Sequence, residues 1–408
     1  QLYSKNIYNT YDYMVYGYSC RSLFHSLMDI IVSNKDKDIR ILTTPIHHSS
    51  FIKIMENYVK PENIEIIKLN SNYNSISRDE YEDEDEDKLN YYDICIISHL
   101  FGQDFEIDDK FLETIKKNNP KCIFIEDRVQ GGTFKTKFSS EIMDISLYST
   151  GMDKKPCGLG GGLCYIKQTK KMDTIYSKLK KKIMSYREET PWDRFKFLVK
   201  KIPSYCLYNC RFILYCVLSL FRILKLDLNR FIKLYRKYNP GFTHDNYNYK
   251  PSRSLIQSIN LSLVNYKNIE TTLYSKSAFF QYNLKQCRDR TSIPYIEQIV
   301  RELFPYLNPN PNPNPNKFVN RGSIYNTLSI FNPDNRTKFI NHLNNKTIPI
   351  MENPTYKLFT HNYENKNHDR MFTDSLVYFP SLYNMTDSEI IYLCHVIHEF
   401  YGWIYIID

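Results

Sequence analysis

The residues best suited to chemistry lie between positions 121 and 166. One apolar run ends at Asp127, a second ends at Ser149, and Lys154 follows closely after it. If these runs are neighbouring strands of a parallel sheet, their ends meet at one edge, which is where ligands bind in such sheets. A carboxylate, a hydroxyl and a lysine at that edge are what an aldehyde cofactor with a ring nitrogen and a phosphate needs. This cofactor chemistry is our working hypothesis.

Simpler interpretations of the same residues stay open at this point. Asp127 and Lys154 could form a structural ion pair, and the glycines at 160–162 could form an ordinary turn. A dinucleotide-binding site is disfavoured, because no GxGxxG motif follows the first strand. The glycine-rich turn also precedes a strand-like run, whereas the dinucleotide motif opens a helix.

Apolar runs and amphipathic segments alternate along the first 166 residues. Alternating strands and helices predict an α/β domain with a mostly parallel sheet. One predicted helix has an apolar face formed by Leu23, Leu27, Ile30 and Ile31. The turns expected at the ligand-binding edge of the sheet are 45–50, 99–103, 127–131 and 149–154.

Two segments of this domain carry further candidate ligand-binding residues. Ser19, Cys20 and Arg21 stand at the start of a helix, where they could hold an anion on backbone N–H groups or form an ordinary N-cap. His47 and His48 are adjacent, so their side chains point to opposite sides of an extended chain. No carboxylate or cysteine stands nearby at ligand spacing, and the pair therefore predicts no metal site.

Charge and cysteine content narrow the class of protein. The 408 residues carry a formal charge of +9, with the basic residues concentrated in 168–239 and an acidic run at 79–87. No nucleic-acid-binding motif accompanies them, so we predict a local basic surface and no nucleic-acid partner. Ten cysteines are scattered without CxxC pairs, which predicts reduced thiols in a cytoplasmic protein.

The basic region contains an apolar segment. Ten uncharged residues, FILYCVLSLF, separate Arg211 from Arg222, fewer than the roughly 20 needed to span a bilayer. The wider segment 196–232 could lie in a membrane interface as a peripheral anchor. The alternative, which we prefer from the sequence, is a buried helix packed on this protein or on a second copy.

The C-terminal part predicts a smaller α+β domain. A helical pattern over 252–285 precedes a proline-spaced linker at 308–316, and a capping box from Thr386 to Glu389 opens the last helix. We divide the chain into a large α/β domain (1–195), a basic and apolar helical insertion (196–240) and a C-terminal domain with a long connecting helix (241–408).

Several short motifs occur in a particular order along the chain. They are HLFGQ at 99–103, IED with a glutamine at 125–130, YS with a lysine at 148–154, the glycine-rich turn at 159–162 and YNYK at 247–250. With segments 335–356 and 376–390, they resemble the DegT/DnrJ/EryC1/StrS family of pyridoxal-phosphate (PLP) sugar aminotransferases. The resemblance covers nearly the whole chain. It implies PLP fold type I, in which helices flank a mostly parallel seven-stranded sheet.

The resemblance also implies roles for individual residues. Lys154 is expected to bind PLP covalently and to move a proton as a free amine, and Asp127 to pair with the pyridine nitrogen. The other expected cofactor-binding residues are Gln130 on the ring-hydroxyl side, Ser149 with Ser19, Cys20 and Arg21 at the phosphate, His48 on the ring, and Asn248 from a second subunit. Lys250 and His47 are expected at the substrate, although the resemblance does not decide which histidine stacks on the ring.

The implied activity is transfer of an amino group from an amino acid, with glutamate as the expected donor, to a keto sugar nucleotide. Such a reaction would suit polysaccharide precursor synthesis, and a shared active site implies a homodimer. One alternative is a catalytically reduced member with a structural or binding role. Another is a different PLP reaction, such as sugar dehydration; that branch of the family has histidine in place of the lysine, so Lys154 favours transamination.

The chain departs from the family pattern at several positions. Leu159 replaces a glycine of the turn, Arg128 replaces a small residue, and Ser-Cys-Arg replaces a Gly-Thr or Gly-Ser phosphate turn. Lys250 replaces an arginine, which keeps the charge but loses the bidentate guanidinium. The altered phosphate turn and Lys250 motivate the catalytically reduced alternative.

Overall fold

The computed structural model describes residues 12–33, 38–67, 92–100, 109–130, 137–151, 154, 156–199, 210–224, 226, 248–290, 327–329, 333–348, 350–352, 356–358, 374, 376–378 and 382–407. Several sequence predictions lie outside these residues. They concern the acidic run at 79–87, the linker at 308–316, positions 101–103 of HLFGQ and the tyrosine of YNYK.

Fourteen strands are described. In chain order they are β1 (Tyr13–Gly17), β2 (Ile41–Thr43), β3 (Ile46–His48), β4 (Ile64–Ile66), β5 (Ile94–Ser98), β6 (Ile123–Asp127), β7 (Ile145–Ser149), β8 (Gly162–Ile166), β9 (Arg187–Glu188), β10 (Tyr249–Lys250), β11 (Thr327–Ser329), β12 (Met351–Glu352), β13 (Tyr356–Leu358) and β14 (Leu376–Tyr378). The described helices are α1 (Cys20–Val32), α2 (Ser49–Tyr58), α3 (Asp109–Asn118), α4 (Lys170–Ser185), α5 (191–199), α6 (Arg211–Ile223), α7 (Arg253–Val264), α8 (Tyr266–Arg290), α9 (Pro333–Asn345) and α10 (Asp387–Ile407).

A seven-stranded sheet of order β1-β8-β7-β6-β5-β2-β4 forms the centre of the N-terminal part. Strand β8 runs antiparallel to both of its neighbours, and the other pairs are parallel. The predicted mostly parallel α/β fold is therefore confirmed. The antiparallel β8 reverses the chain directly after the glycine-rich turn, which places that turn at the carboxyl edge of β7.

Helices cover both faces of this sheet, because alternate strand residues point to opposite sides. On one face, isoleucines of β5, β6 and β7 pack with α1, α2 and α4 in one apolar core. The predicted apolar face of α1, with Leu23, Leu27, Ile30 and Ile31, is buried there. On the other face, Cys95, Ile97 and Phe124 pack against α3.

The long helical pattern after position 252 forms two helices. Helix α7 packs on the sheet, where Leu255 and Ile259 contact Tyr148 and Leu163. Helix α8 begins after Asn265, which caps α7 through a hydrogen bond from its N–H to the carbonyl of Leu263. The sequence predicted one continuous helix, and it did not show this break because Asn265 stands within an uninterrupted amphipathic pattern.

The C-terminal part has a core of its own. Strands β11, β14 and β12 form an antiparallel sheet, and α8, α9 and α10 pack beside it around Phe339, Leu343 and Leu393. The predicted capping box is confirmed: the N–H of Thr386 donates to Glu389 at 2.6 Å, and the N–H of Glu389 donates to the Thr386 hydroxyl at 3.3 Å. Strand β13 crosses to the N-terminal part and pairs with β3. The division at 195 and 240 stays a prediction.

Candidate active site

Asp127 and Ser149 lie on the same face of the sheet at its carboxyl edge. Asp127 ends β6 and is paired in register with Leu147 of β7, two residues before Ser149. Because residues two apart in a strand share a face, both side chains lie on the side of helix α1. The two polar groups that the sequence placed at strand ends are therefore on one side of one edge.

The N-terminus of α1 lies against this edge. Ser149 is paired with Gly162, and a Cβ atom added to Gly162 would come within 2.4 Å of the backbone nitrogen of Cys20. Ser19 forms a bridge with Gly161 next to it. Only glycine fits at position 162 with the helix so close, so the sequence of the turn permits the approach of the helix N-terminus to Ser149.

Ser19 is the N-cap of α1. Its hydroxyl accepts from the N–H of Ser22 at 3.1 Å, and the Ser22 hydroxyl accepts from the N–H of Ser19 at 3.0 Å. The N-cap interpretation is thus confirmed, and it is compatible with anion binding. The first N–H groups of an α-helix have no acceptor within the helix and carry the positive end of its dipole. The backbone nitrogen of Cys20, the first residue of α1, lies beside Gly162, the strand partner of Ser149.

Lys154 lies within electrostatic range of Asp127. Burial raises the pKa of Asp127 to about 6, and the N–H of Val129, the His99 side chain and the Lys154 ammonium each lower it from the value that burial alone would give. Lys154 is itself buried, and its N–H donates to the carbonyl of Gly151 at 3.0 Å. The same ammonium also lowers the otherwise raised pKa of Cys20 at the start of α1. Lys154, Asp127 and the helix N-terminus therefore share one electrostatic neighbourhood.

A fully buried pair supports the end of β6 from the opposite face. His99 Nε2 lies 3.0 Å from Glu126 Oε2, and the N–H of Ser139 donates to Glu126 at 3.2 Å. Burial alone would raise the pKa of Glu126, but the bond from His99 and the charges of His99 and Arg128 lower it overall. The N–H of His99 also donates to the carbonyl of Asp127 at 2.9 Å. These contacts fix the backbone from which the Asp127 side chain projects.

The two adjacent histidines have different surroundings. His47 is buried and contacts the hydroxyls of Thr43 and Thr44 through Nε2 at 2.7 and 3.1 Å. Burial lowers its pKa to about 4, which keeps the ring neutral, and its Nδ1 has no hydrogen-bond partner within the part of the chain that the structure describes. His48 instead caps α2, since its Nδ1 accepts from the N–H of Ser50 at 3.2 Å. Within the described ranges, no group of three or more His, Cys, Asp or Glu side chains could hold a metal ion.

Two buried polar atoms near the end of β6 have no hydrogen-bond partner among the described residues. One is the hydroxyl oxygen of Ser98, which is paired with Asp127 on the neighbouring strand. The other is Oε1 of Gln130, which follows three residues after Asp127 and is 5% exposed. Buried polar groups are rarely left unpaired, and such groups call for a ligand or ordered water. The Ser98 hydroxyl and Gln130 Oε1 are therefore candidates for contact with a bound cofactor.

The glycine-rich turn has an unusual backbone. Leu159, Gly160 and Gly161 have φ values of 58°, 128° and 89°, so three successive residues lie in the left-handed half of conformational space. The Thr150 hydroxyl donates to the carbonyl of Gly160 at 2.7 Å, and Arg194 Nη2 donates to the carbonyl of Leu159 at 2.9 Å. The turn closes the loop that carries Lys154, so these contacts hold the base of that loop.

The sequence did not assign a role to Thr150 or Arg194. Thr150 directly follows Ser149 at the strand end, a position that could have drawn attention to it. Arg194 stands 35 residues away from Leu159, in a polar segment with no motif. Only the fold brings its guanidinium to the turn, and there it also lies 3.9 Å from the buried Glu189.

The segment with Asn248 and Lys250 lies beside the N-terminal end of α1. Strand β10 pairs with β9, and Lys250 Nζ is 3.8 Å from Glu188. The ring of Tyr249 lies 5.2 Å from that of Tyr18, the residue before Ser19. Asn248 is half-buried in this segment. The contribution of Asn248 to a second subunit stays a prediction.

Comparison with known proteins shows the fold. No protein-family model matches the chain, and no curated protein matches it in sequence. Among solved structures, Spr1654 of Streptococcus pneumoniae, described as a sugar aminotransferase, superimposes with a TM-score of 0.59 at 10% identity over 97% of this chain and 87% of that one. An aminotransferase from Psychrobacter cryohalolentis gives 0.59 at 12% identity over 96% and 88%. The GDP-4-keto-6-deoxy-D-mannose-3-dehydratase of E. coli gives 0.58 at 13% identity over 94% and 87%.

Spr1654 has been solved in apo, PLP and pyridoxamine-phosphate (PMP) forms. The chain thus has the fold of these proteins over nearly its whole length, as the resemblance predicted. At 10 to 13% identity this likeness shows the fold alone.

Proposed function

We propose that this protein is a PLP-dependent aminotransferase that acts on a keto sugar nucleotide. The observation that carries the proposal is that Asp127, Ser149 and the α1 N-terminus lie together on one face of the sheet edge. The buried Lys154 stands in the loop that follows Ser149, and its charge acts on Asp127. Each group suits a different part of PLP: the lysine its aldehyde, the carboxylate its ring nitrogen, and the helix N-terminus with Ser149 its phosphate. The fold shared with proteins described as aminotransferases supports the same conclusion.

The residues of this chain would divide the work as follows. When bound, PLP supplies an electron sink that stabilises negative charge at the carbon next to the substrate nitrogen. Asp127, once ionised, would hold the proton on the pyridine nitrogen, and its burial excludes water from that contact. Gln130 and Ser98 offer polar atoms beside it. Lys154, as a free amine, would carry the proton between the two carbons that flank the substrate nitrogen.

A spectroscopic experiment tests cofactor binding. The purified full-length protein, incubated with PLP and then desalted, should keep the visible absorbance of lysine-bound PLP. Borohydride reduction should fix that PLP on the peptide that contains Lys154, as mass spectrometry would report. Lys154→Ala should lose the absorbance, whereas Lys182→Ala, on the partly exposed end of α4, should keep it. A colourless wild-type protein in excess PLP would overturn the proposal.

The substrates rest on the comparisons and on the chain's own motifs. Glutamate is the proposed donor, and a nucleotide-linked keto sugar is the proposed acceptor, with Lys250 and His47 proposed on the substrate side. In a half-reaction, the PLP-loaded protein should convert to its PMP form when glutamate is added. PLP that binds but does not react with any amino acid would instead favour the catalytically reduced, binding role.

Sugar dehydration is a second candidate, because the E. coli dehydratase shares the fold at nearly the same TM-score. Lys154 favours the aminotransferase, because the resemblance assigns histidine to that position in dehydratases. Product analysis separates the two: transamination adds nitrogen to the sugar, whereas dehydration removes an oxygen without adding nitrogen.

We also propose a homodimer in which Asn248 of one subunit completes the phosphate site of the other. The closeness of this segment to the N-terminal end of α1 supports a role at the phosphate. The sharing between subunits rests on the resemblance, and subunit mixing can test it.

A further inference from the structure

Helix α6 presents an apolar face to solvent. Its exposed residues are spaced by one, three or four positions and so form one stripe along the helix; they include Phe212, Ile213, Cys216, Leu220 and Ile223. Phe212 is 77% exposed and Ile223 is 76% exposed, whereas Leu218 on the opposite side is only 5% exposed. The helix therefore buries Leu218 on one side and leaves an apolar face uncovered on the other.

The sequence around this helix is strongly basic. Residues 196–237 contain ten lysines and arginines and a single acidic residue, Asp227, so this segment alone carries +9. That equals the formal charge of the whole chain, and the remaining residues are neutral in sum. Basic charge next to an exposed apolar stripe is typical of segments that bind anionic lipid surfaces.

Helix α5 carries a second exposed apolar group before the basic segment. Trp192 is 59% exposed and Phe195 is 54% exposed, and their rings stack with centroids 5.4 Å apart. Lys196 Nζ lies 5.2 Å from the centre of the Trp192 ring. Tryptophan and lysine together suit the boundary between lipid headgroups and acyl chains, where the ring is partly buried and the ammonium reaches water.

The dimensions favour a helix that lies on a membrane. The 13 residues of α6 make a helix of about 20 Å, shorter than the roughly 30 Å hydrocarbon core. Among the helices described here, none is long and apolar enough to cross a bilayer. An exposed stripe on a short helix can still insert its side chains to the depth of the headgroup boundary.

Charge distinguishes a lipid surface from a second copy of the chain. In a symmetric dimer through α6, the same patch of both subunits would meet, and both copies would carry the same strongly basic sequence around that helix. An anionic bilayer instead offers opposite charge over the whole patch. We propose that the exposed faces of α5 and α6 bind the surface of an anionic membrane. This inference is independent of the proposed activity, since no residue of the sheet edge takes part.

Vesicle flotation with the full-length protein tests the proposal. Wild type should float at least tenfold more with vesicles of phosphatidylcholine and phosphatidylglycerol than with phosphatidylcholine alone, and added salt should weaken the binding. The variant Phe212→Glu/Leu220→Glu/Ile223→Glu should lose at least tenfold of this binding. The control Leu261→Glu/Val264→Glu changes two exposed apolar residues of α7, 68% and 63% exposed, and should bind like wild type.

Two further readouts keep the result interpretable. Circular dichroism and the PLP absorbance show whether the triple variant is folded. The variant Lys196→Gln/Lys200→Gln/Lys201→Gln, which removes charge alone, should also bind anionic vesicles less than wild type does. Wild type that stays unbound with both kinds of vesicle overturns the proposal. So does a triple variant that binds as well as wild type. A triple variant that turns a dimer into a monomer, in a protein that never binds vesicles, assigns the face to a second copy instead.

Discussion

Arg194 Nη2 donates a 2.9 Å hydrogen bond to the carbonyl oxygen of Leu159, a residue with a φ of 58°. Left-handed backbone costs a leucine roughly 1–2 kcal/mol, because its Cβ approaches the carbonyl oxygen. The structure tolerates this because Arg194 and Thr150 together hold the turn from both sides. Glycine would adopt this conformation without the cost of a Cβ atom.

Leu159→Gly should therefore stabilise the protein. Glycine removes the cost of the left-handed backbone at this position, but its greater freedom in the unfolded chain offsets part of this gain. We expect a net increase of about 0.5–1 kcal/mol in the free energy of unfolding. Gly161→Ala is the opposite case, since its φ is 89° and an added Cβ would lie 2.6 Å from Ile259 Cδ1. We expect Gly161→Ala to lower the free energy of unfolding by about 1–3 kcal/mol, as measured by urea denaturation. A Leu159→Gly variant less stable than wild type would contradict this account of the turn.

Asp127→Asn should make the PLP-free protein more stable above pH 6. Burial raises the pKa of Asp127 from 3.8 to about 6, so the folded state holds this proton more tightly than the unfolded state. The stabilisation that this proton gives the folded state is fully present below pH 3.8 and is lost as the pH rises through about 6. The free energy of unfolding falls by roughly 3 kcal/mol over this range. Asparagine carries no charge and can still accept the N–H of Val129.

Urea denaturation of the PLP-free proteins at pH 4 and pH 8 measures this difference. Wild type and variant should be similar at pH 4 and diverge at pH 8 in favour of the variant, while the variant loses PLP affinity. If Asp127 instead served mainly as a structural ion pair with Lys154, the variant would be the less stable protein at pH 8. The experiment therefore decides between the two interpretations that the sequence left open.

Ser149→Ala should weaken binding of the phosphate group of PLP. The Ser149 oxygen accepts a long hydrogen bond of 3.4 Å from the N–H of Gly151, and its hydroxyl proton can donate to a phosphate oxygen. Hydrogen bonds to charged groups contribute about 1.5–3 kcal/mol, which is a tenfold to hundredfold rise in Kd. Fluorescence titration with pyridoxal, which lacks the phosphate, should show no change. The matched control is Ser146→Ala on the same strand, and equal losses for PLP and pyridoxal would refute the assignment.

Mixing of two inactive variants tests whether the active site is shared between subunits. Lys154→Ala and Asn248→Ala homodimers should each be inactive or nearly so. If Asn248 acts across the interface, a dimer with one subunit of each variant has one intact site and one site that lacks both residues. Half of the randomly mixed dimers are of this kind, so about a quarter of wild-type activity should return. Activity is measured as amino transfer from glutamate after unfolding and refolding the mixture. A mixture no more active than its components would place Asn248 in its own subunit's site.

The strand ends that carry Asp127 and Ser149 could be predicted from the sequence, because each apolar run stops at a polar residue. The capping box at Thr386 was equally clear, since its signal is local. The break at Asn265 was not, because asparagine fits both a helix interior and a helix end. The contact between Arg194 and Leu159 was also invisible, because it depends on how α5 lies against the sheet. Local sequence patterns thus predicted the strands and helices, and tertiary packing determined which of them hold the loop that carries Lys154.

The two helices that meet at Asn265 belong to different cores. Ile259 of α7 packs against Gly158 and Gly161, at the base of the lysine loop, whereas Phe280 of α8 packs in the C-terminal core. The support that Ile259 gives to the loop carrying Lys154 therefore comes from α7, a helix separate from the one that packs in the C-terminal core. The C-terminal part is tied to the N-terminal part at another place, through the pairing of β13 with β3.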